Sequence, residues 1–210
     1  MREIVIPGEK IADGKGTKAG HGAFRRGDSV YSAVLGFVTN SQGFAKVVPL
    51  SGRYVPYAGD HVIGIVEARM GKGCFVDINS AYTGYLSFFG DKEHEAGDLL
   101  MMEIMHVNEI RKTDLDFAKP LYGGKLINVS PVKIPRIVGK KASMLDTLSV
   151  GSNCKIFVGR NGRIYLKGKE EDVTRAEQAI RLIEREAHTK GLTERIKKFL
   201  ETGGKDGNEE

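Results

Sequence analysis

The chain has 210 residues, 40% hydrophobic and 28% charged, with a formal net charge of +5 at pH 7. That composition excludes a disordered chain, and no apolar run approaches the ~20 residues a membrane-spanning helix needs. The opening MREIVIPGEK lacks the apolar core and cleavage site of a signal peptide, so a cytoplasmic protein is expected.

Charge is uneven along the chain. Residues 1–58 carry 8 basic and 4 acidic side chains, residues 59–119 carry 6 and 11, residues 120–190 carry 14 and 7, and residues 191–210 carry 4 and 5. This alternation implies modules rather than one core, and it directs the search for a polyanionic partner to the third segment.

In residues 1–58 the runs SVYSAVLGFV, GFAKVVPL and RYVPY alternate with turn residues, which predicts an antiparallel β domain. Its early glycines do not form a phosphate loop. Five residues separate Gly8 from Gly14 where a Walker loop has four, and Gly16 rather than Ser or Thr follows Lys15.

Residues 59–119 contain five strand-like runs: HVIGIVEAR, GCFVDIN, TGYLSFF, LLMMEIMHVN and DLDFAKP. Five strands at this spacing suit a five-stranded OB-type β-barrel. In the second run Cys74, Val76 and Ile78 share one face, so Phe75 points outward. An outward aromatic there either stacks a nucleic-acid base or packs under a neighbouring module.

Residues 120–190 change character. KLINVS reads as a strand, and PRIVGKKASMLDTL as two short helices joined at Gly139-Lys140-Lys141-Ala142. CKIFV and RIYLK read as strands around GRNG, whose Asn-Gly is a hairpin signal. A helix begins near Glu171, with Val173, Ala176, Ile180, Ile183 and Ala187 along one stripe. From Lys133 to Lys167 there are eight basic residues and one acid, Asp146. Residues 191–210 give a short amphipathic helix, then the tail TGGKDGNEE, expected to fray.

The order β-α-α-β-β-α with a basic loop between the first two helices resembles a KH domain, in which a GxxG loop grips the nucleic-acid backbone. Ala142 stands where that family has the second glycine. The barrel segment resembles the S-one-type OB repeat, named from the largest small-subunit ribosomal protein. The matching runs are GDHVIGIV, GCFVDI, TGYLSF and GDLLMMEIMHVN. Phe75 matches a base-stacking aromatic of that family, while Lys72 and Ser87 replace a common aromatic and a common histidine.

The whole series, from VIPGEKIADG through GRNGRIYLKG, resembles the KH-bearing RNA-binding cap subunit of the archaeal exosome. The resemblance implies a multi-domain α+β chain: N-terminal antiparallel β domain (1–58), OB-type β-barrel (59–119), KH domain (120–190), then a short helix and tail (191–210). It implies single-stranded RNA as ligand, contacted through Arg69, Lys72, Phe75, Arg111, Lys112, Gly139, Lys140 and Lys141. It also implies docking of the N-terminal domain on a ring of RNase PH-type subunits. Three copies would sit around an entry pore, in some caps beside a zinc-ribbon sister subunit. RNA 3′ ends would then pass to phosphorolytic sites in the partners.

No catalytic residue, cofactor or metal is expected. Asp114 and Asp116 share a strand face and DKEHE gathers acids around His94, yet nothing in the spacing converges them into one pocket. Cys74 and Cys154 sit in strand-like runs eighty residues apart, which favours buried thiols over redox work and excludes a zinc ribbon. The alternative reading is a transcription elongation factor, a class that also joins S-one-type and KH modules but usually carries two of the latter in tandem.

Overall fold

Short apolar alternations broken by turns divide the first segment into seven strands: β1 (Ile4–Val5), β2 (Lys10–Asp13), β3 (Lys18–Ala19), β4 (Ala23–Arg26), β5 (Ser29–Ser32), β6 (Gly36–Ser41) and β7 (Phe44–Pro49). They are seen in a computed structural model that describes residues 3–202 except 14, 15, 42, 89–92, 111, 188 and 190. Arg111, the Asp91–Lys92 part of the acidic loop, His188 and the tail from residue 203 therefore lie outside the described residues.

The chain forms two units, Met1–Gly52 and Arg53–Glu210. In the first, the strands form two sheets, ordered β1-β6-β7-β3 and β2-β5-β4. The pairings are antiparallel, as expected, except that β3 runs parallel to β7. Val5, Val30, Ala45 and Val47 are buried between them.

The second unit begins with the expected barrel: β8 (His61–Met70), β9 (Gly73–Asp77), β10 (Gly84–Ser87), β11 (Leu99–Val107) and β12 (Thr113–Pro120), closed in the order β10-β12-β11-β8-β9. Every second residue fills the interior. Cys74, Val76 and Ile78 are fully buried there, with Leu100, Met102 and Ile104 from β11. Tyr54 is packed in the same core and donates its hydroxyl to Asp60 at 2.7 Å. Burial, then that carboxylate, pushes its phenol far above the ordinary range.

The KH order follows: β13 (Lys125–Asn128), α1 (Ile134–Val138), α2 (Ser143–Ser152), β14 (Lys155–Val158), β15 (Arg163–Lys167) and α3 (Glu170–Glu186), with sheet order β13-β15-β14. The stripe on α3 is buried as its periodicity predicts, at Val173, Ala176, Ile180 and Ile183. The final helix α4 (Leu192–Glu201) places Leu192, Ile196, Phe199 and Leu200 in the same apolar core. It therefore acts as part of the KH packing.

Barrel and KH module are joined by the GRNG turn. Asn161 is fully buried; its side-chain NH2 donates to the carbonyls of Ile63 at 2.7 Å and Ile78 at 2.8 Å, and its Oδ1 accepts the Ile63 N–H at 3.3 Å. Asn79 donates to the Asn161 carbonyl at 2.7 Å, and the Arg160 N–H donates to the His61 carbonyl at 2.8 Å. Arg163 pairs with Asp77, and Arg160 lies 3.4 Å from Asp60. Backbone groups of β8 and of the chain just after β9 thus find partners in the KH turn, and such buried groups are costly when left unpaired. The hairpin exists as predicted, and its turn works as a latch.

Candidate nucleic-acid interface

On the barrel, Phe75 and Tyr85 stand directly opposite one another on β9 and β10. Their neighbours Cys74 and Leu86 point into the core, so both rings point out. The ring centroids are 5.6 Å apart at 62°, an edge-to-face pair. Glycine at residue 73 permits this arrangement, because a Cβ there would lie 2.5 Å from the Leu86 carbonyl oxygen and 2.5 Å from the Tyr85 hydroxyl. Lys112 places its ammonium 5.7 Å from the Tyr85 ring centroid, in the geometry of a cation–π contact. A half-exposed aromatic pair with a cation at its edge offers a base a stacking surface and a phosphate a counter-charge.

The other barrel cations differ. Arg69 is held by Glu93 through two contacts of 2.6 Å and lies 5.7 Å from the Phe88 ring. It can meet a phosphate only by exchanging that carboxylate. Lys72 is exposed and makes no ion pair among the described residues. Arg111 cannot be placed, being outside the described residues. Tyr85 was not among the expected site residues; the alternation of TGYLSF, with Leu86 inward, is the signal that points it outward.

The KH loop is built by unusual backbone. Gly139 has φ 75°, and a Cβ there would lie 2.7 Å from the Met144 nitrogen, so the loop closes only with glycine. Lys141 and Ala142 also have positive φ, 53° and 63°. Ala142 thus occupies the left-handed conformation that glycine adopts freely, at a cost of roughly 1–2 kcal/mol for an L-residue. It precedes α2 and makes no side-chain cap, so no side chain of its own satisfies the first N–H groups of that helix. Lys140 and Lys141 are exposed beside them.

Six of the eight basic residues between Lys133 and Lys167 form no ion pair among the described residues: Lys133, Arg136, Lys140, Lys141, Lys155 and Lys167. The other two, Arg160 and Arg163, belong to the latch. Lys155 and Lys167 even stand directly opposite one another across β14 and β15, an arrangement of like charge that disfavours the isolated sheet. These six cations are left unneutralised on the KH module, a feature suited to contact with a polyanion.

The acidic groups assemble nothing comparable. Asp114 lies 3.9 Å from His106, and Asp116 accepts the N–H of Phe117 at 2.7 Å. Among the described residues no three His, Cys, Asp or Glu side chains gather as metal ligands. Cys74 and Cys154 are buried free thiols, and burial pushes both thiol pKa values up. No described helix is long and apolar enough to cross a membrane.

Comparison with known proteins agrees with this geometry. A KH domain family model matches residues 124–172, and a model described as the exosome RNA binding protein RRP4 N-terminal domain matches residues 2–51. The exosome complex component Rrp4 of Methanothermus fervidus is 38% identical over 213 residues, covering 95% of each chain. That of Thermococcus kodakarensis is 35% identical over 220 residues, covering 95% of this chain and 85% of its own. A crystal structure of a protein assigned as an exosome complex RNA-binding protein superposes with a TM-score of 0.66 at 38% identity. It covers 72% of this chain and 97% of its own.

Proposed function

The chain belongs to the Rrp4 family of exosome complex components, and from that premise we propose that it captures single-stranded RNA and feeds 3′ ends to phosphorolytic exoribonuclease subunits. It is an RNA-binding component of the exosome and not itself the nuclease. Its match along 95% of the chain favours this over the elongation-factor alternative.

The observation that carries the assembly half of the reading is an exposed apolar face on the first unit. Ile4, Phe37 and Val48 stand in line across β1, β6 and β7. Ile4 and Val48 are 55% and 46% exposed, and Leu35, Leu50 and Ile6 continue the alternation at the strand ends. The opposite side of β1 and β7 is buried at Val5 and Val47. A contiguous apolar face on a small β unit marks a protein-binding surface. The partner proposed for it is a ring of RNase PH-type subunits, carrying three copies of this chain around its entry pore, with the zinc-ribbon sister subunit in mixed caps, in the cytoplasm.

The RNA half rests on Phe75, Tyr85 and Lys112 on the barrel, and on Gly139, Lys140 and Lys141 in the KH loop, with further unpaired lysines elsewhere on the KH module. Lys72 adds an exposed charge, and Arg69 and Arg111 remain proposed contacts. Phosphorolysis assays with ring subunits test the reading. The ring with this chain should degrade a single-stranded RNA faster at limiting substrate than the ring alone, and the chain alone should release no nucleotide. Turnover by the chain alone that follows it through stringent purification would overturn the proposal.

A further inference from the structure

The three-stranded sheet of the first unit carries a second outward face, chemically unlike the apolar one. Lys10, Tyr31 and Phe24 stand opposite one another across β2, β5 and β4, and Asp13, Ser29 and Arg26 form the next row. Val30 and Ser32, which point the other way, are buried. The Phe24 and Tyr31 rings are stacked, with centroids 5.8 Å apart and planes 23° from parallel. β4 is an edge strand of its sheet, so no further strand of that sheet covers the far side of Phe24, which is 43% exposed. The aromatic stack ends on an open ring face.

The charges on this face are not equivalent. Lys10 is tied to Asp13 at 2.6 Å. Arg25, opposite Val30 and so on the other side of β4, bonds the carbonyls of Gly27 and Thr17 and lies near Asp28. Arg26, exposed and two residues along the edge strand from Phe24, makes no ion pair among the described residues. Residues i and i+2 of a strand share a face about 7 Å apart. An open aromatic face with an unpaired guanidinium at that distance has the two elements of sequence-tolerant single-strand binding: a π surface for a base and a cation for the adjoining phosphate. A protein-docking face of the kind formed by Ile4, Phe37 and Val48 needs no such cation, and segment 1–58 is basic overall, with 8 basic and 4 acidic residues.

We propose that this face is an additional single-stranded RNA contact, separate from the barrel and KH sites: a base extends the Tyr31–Phe24 stack, and Arg26 takes the neighbouring phosphate. Every base has a π face, so the contact carries little sequence preference.

The test uses the full chain and a fluorescent 30-nucleotide oligoadenylate, with affinity measured across a salt series, and co-purification with ring subunits in parallel. Phe24→Leu, which keeps apolar bulk without the π surface, and Phe24→Ala should each lower affinity about tenfold with an unchanged salt slope. Arg26→Ala should flatten the slope by about one. All three should still assemble with the ring. Wild-type RNA affinity in the variants overturns the proposal, and loss of ring assembly with RNA affinity intact reassigns the face to a protein. Absence of RNA binding by the wild-type chain overturns the RNA-binding role as a whole, together with this site.

Discussion

Asn161 donates to the carbonyl of Ile63 at 2.7 Å, tying a turn of the KH module to the first strand of the barrel. The same side chain bonds Ile78 and accepts from Ile63, so one buried amide satisfies three backbone groups of the barrel. The barrel and KH surfaces proposed to bind RNA are therefore held in one orientation by hydrogen bonds that only an amide of this length can make.

Replacing Asn161 by Ala removes the partner of the Ile63 N–H and of the Ile78 carbonyl, and leaves the Ile63 carbonyl only the long contact from Arg163 at 3.4 Å. The expected cost is about 2 kcal/mol or more, at about 1–3 kcal/mol for each of the two unsatisfied groups, less whatever entering water recovers. Urea denaturation followed by circular dichroism reads it directly. A midpoint equal to that of the unaltered chain would show that the latch contributes nothing to stability.

The barrel and the KH loop should contribute to RNA binding in different ways. Phe75→Ala removes stacking, worth about 1–3 kcal/mol per base, and should weaken binding at every salt concentration alike. Charge reversal at Lys140 and Lys141 should weaken binding most at low salt and flatten the salt dependence, because fewer counterions are released. Anisotropy titrations at several ionic strengths separate the two. Identical salt slopes for wild type and the lysine variant would remove the KH loop from the interface.

Ala142 sits at φ 63° without the freedom of glycine. Ala142→Gly relieves about 1–2 kcal/mol of left-handed strain and gives back part of it as chain entropy in the unfolded state. The expected result is a gain near 1 kcal/mol, with RNA affinity equal or higher because the backbone of the loop becomes more open. A loss of stability on this substitution would contradict the strain assigned here.

Cys74 and Cys154 are buried, and desolvation raises both thiol pKa values. At pH 8 each should hold less thiolate than an unfolded cysteine, and labelling by iodoacetamide should be slower in the folded chain. Both thiols should react when the chain is unfolded in urea. Rapid labelling of either in the native state would call for a site more open than the one described.

The strand and helix order was legible in the sequence because half-buried strands and amphipathic helices write their period into it, as in Cys74, Val76 and Ile78 or along α3. What lay outside reach was every feature set by tertiary pairing. Tyr85 gains meaning only from standing opposite Phe75 and beneath Lys112. Arg69 reads as a free cation until Glu93, 24 residues away, folds onto it. Asn161 reads as a turn residue, since Asn-Gly predicts the local bend and says nothing of what its amide meets across the molecule.

The apolar face at Ile4, Phe37 and Val48 bears on the central claim, that this chain works as an assembled exosome component. The most direct measurement is the native mass of the material that co-purifies with RNase PH-type ring subunits, for the wild-type chain and for an Ile4→Asp, Val48→Asp variant. Wild-type chain is expected in the ring fraction at three copies per ring, and the variant folded but eluting alone. A wild-type chain that elutes alone in the presence of intact ring, or a variant that assembles as well as the wild type, would contradict that claim.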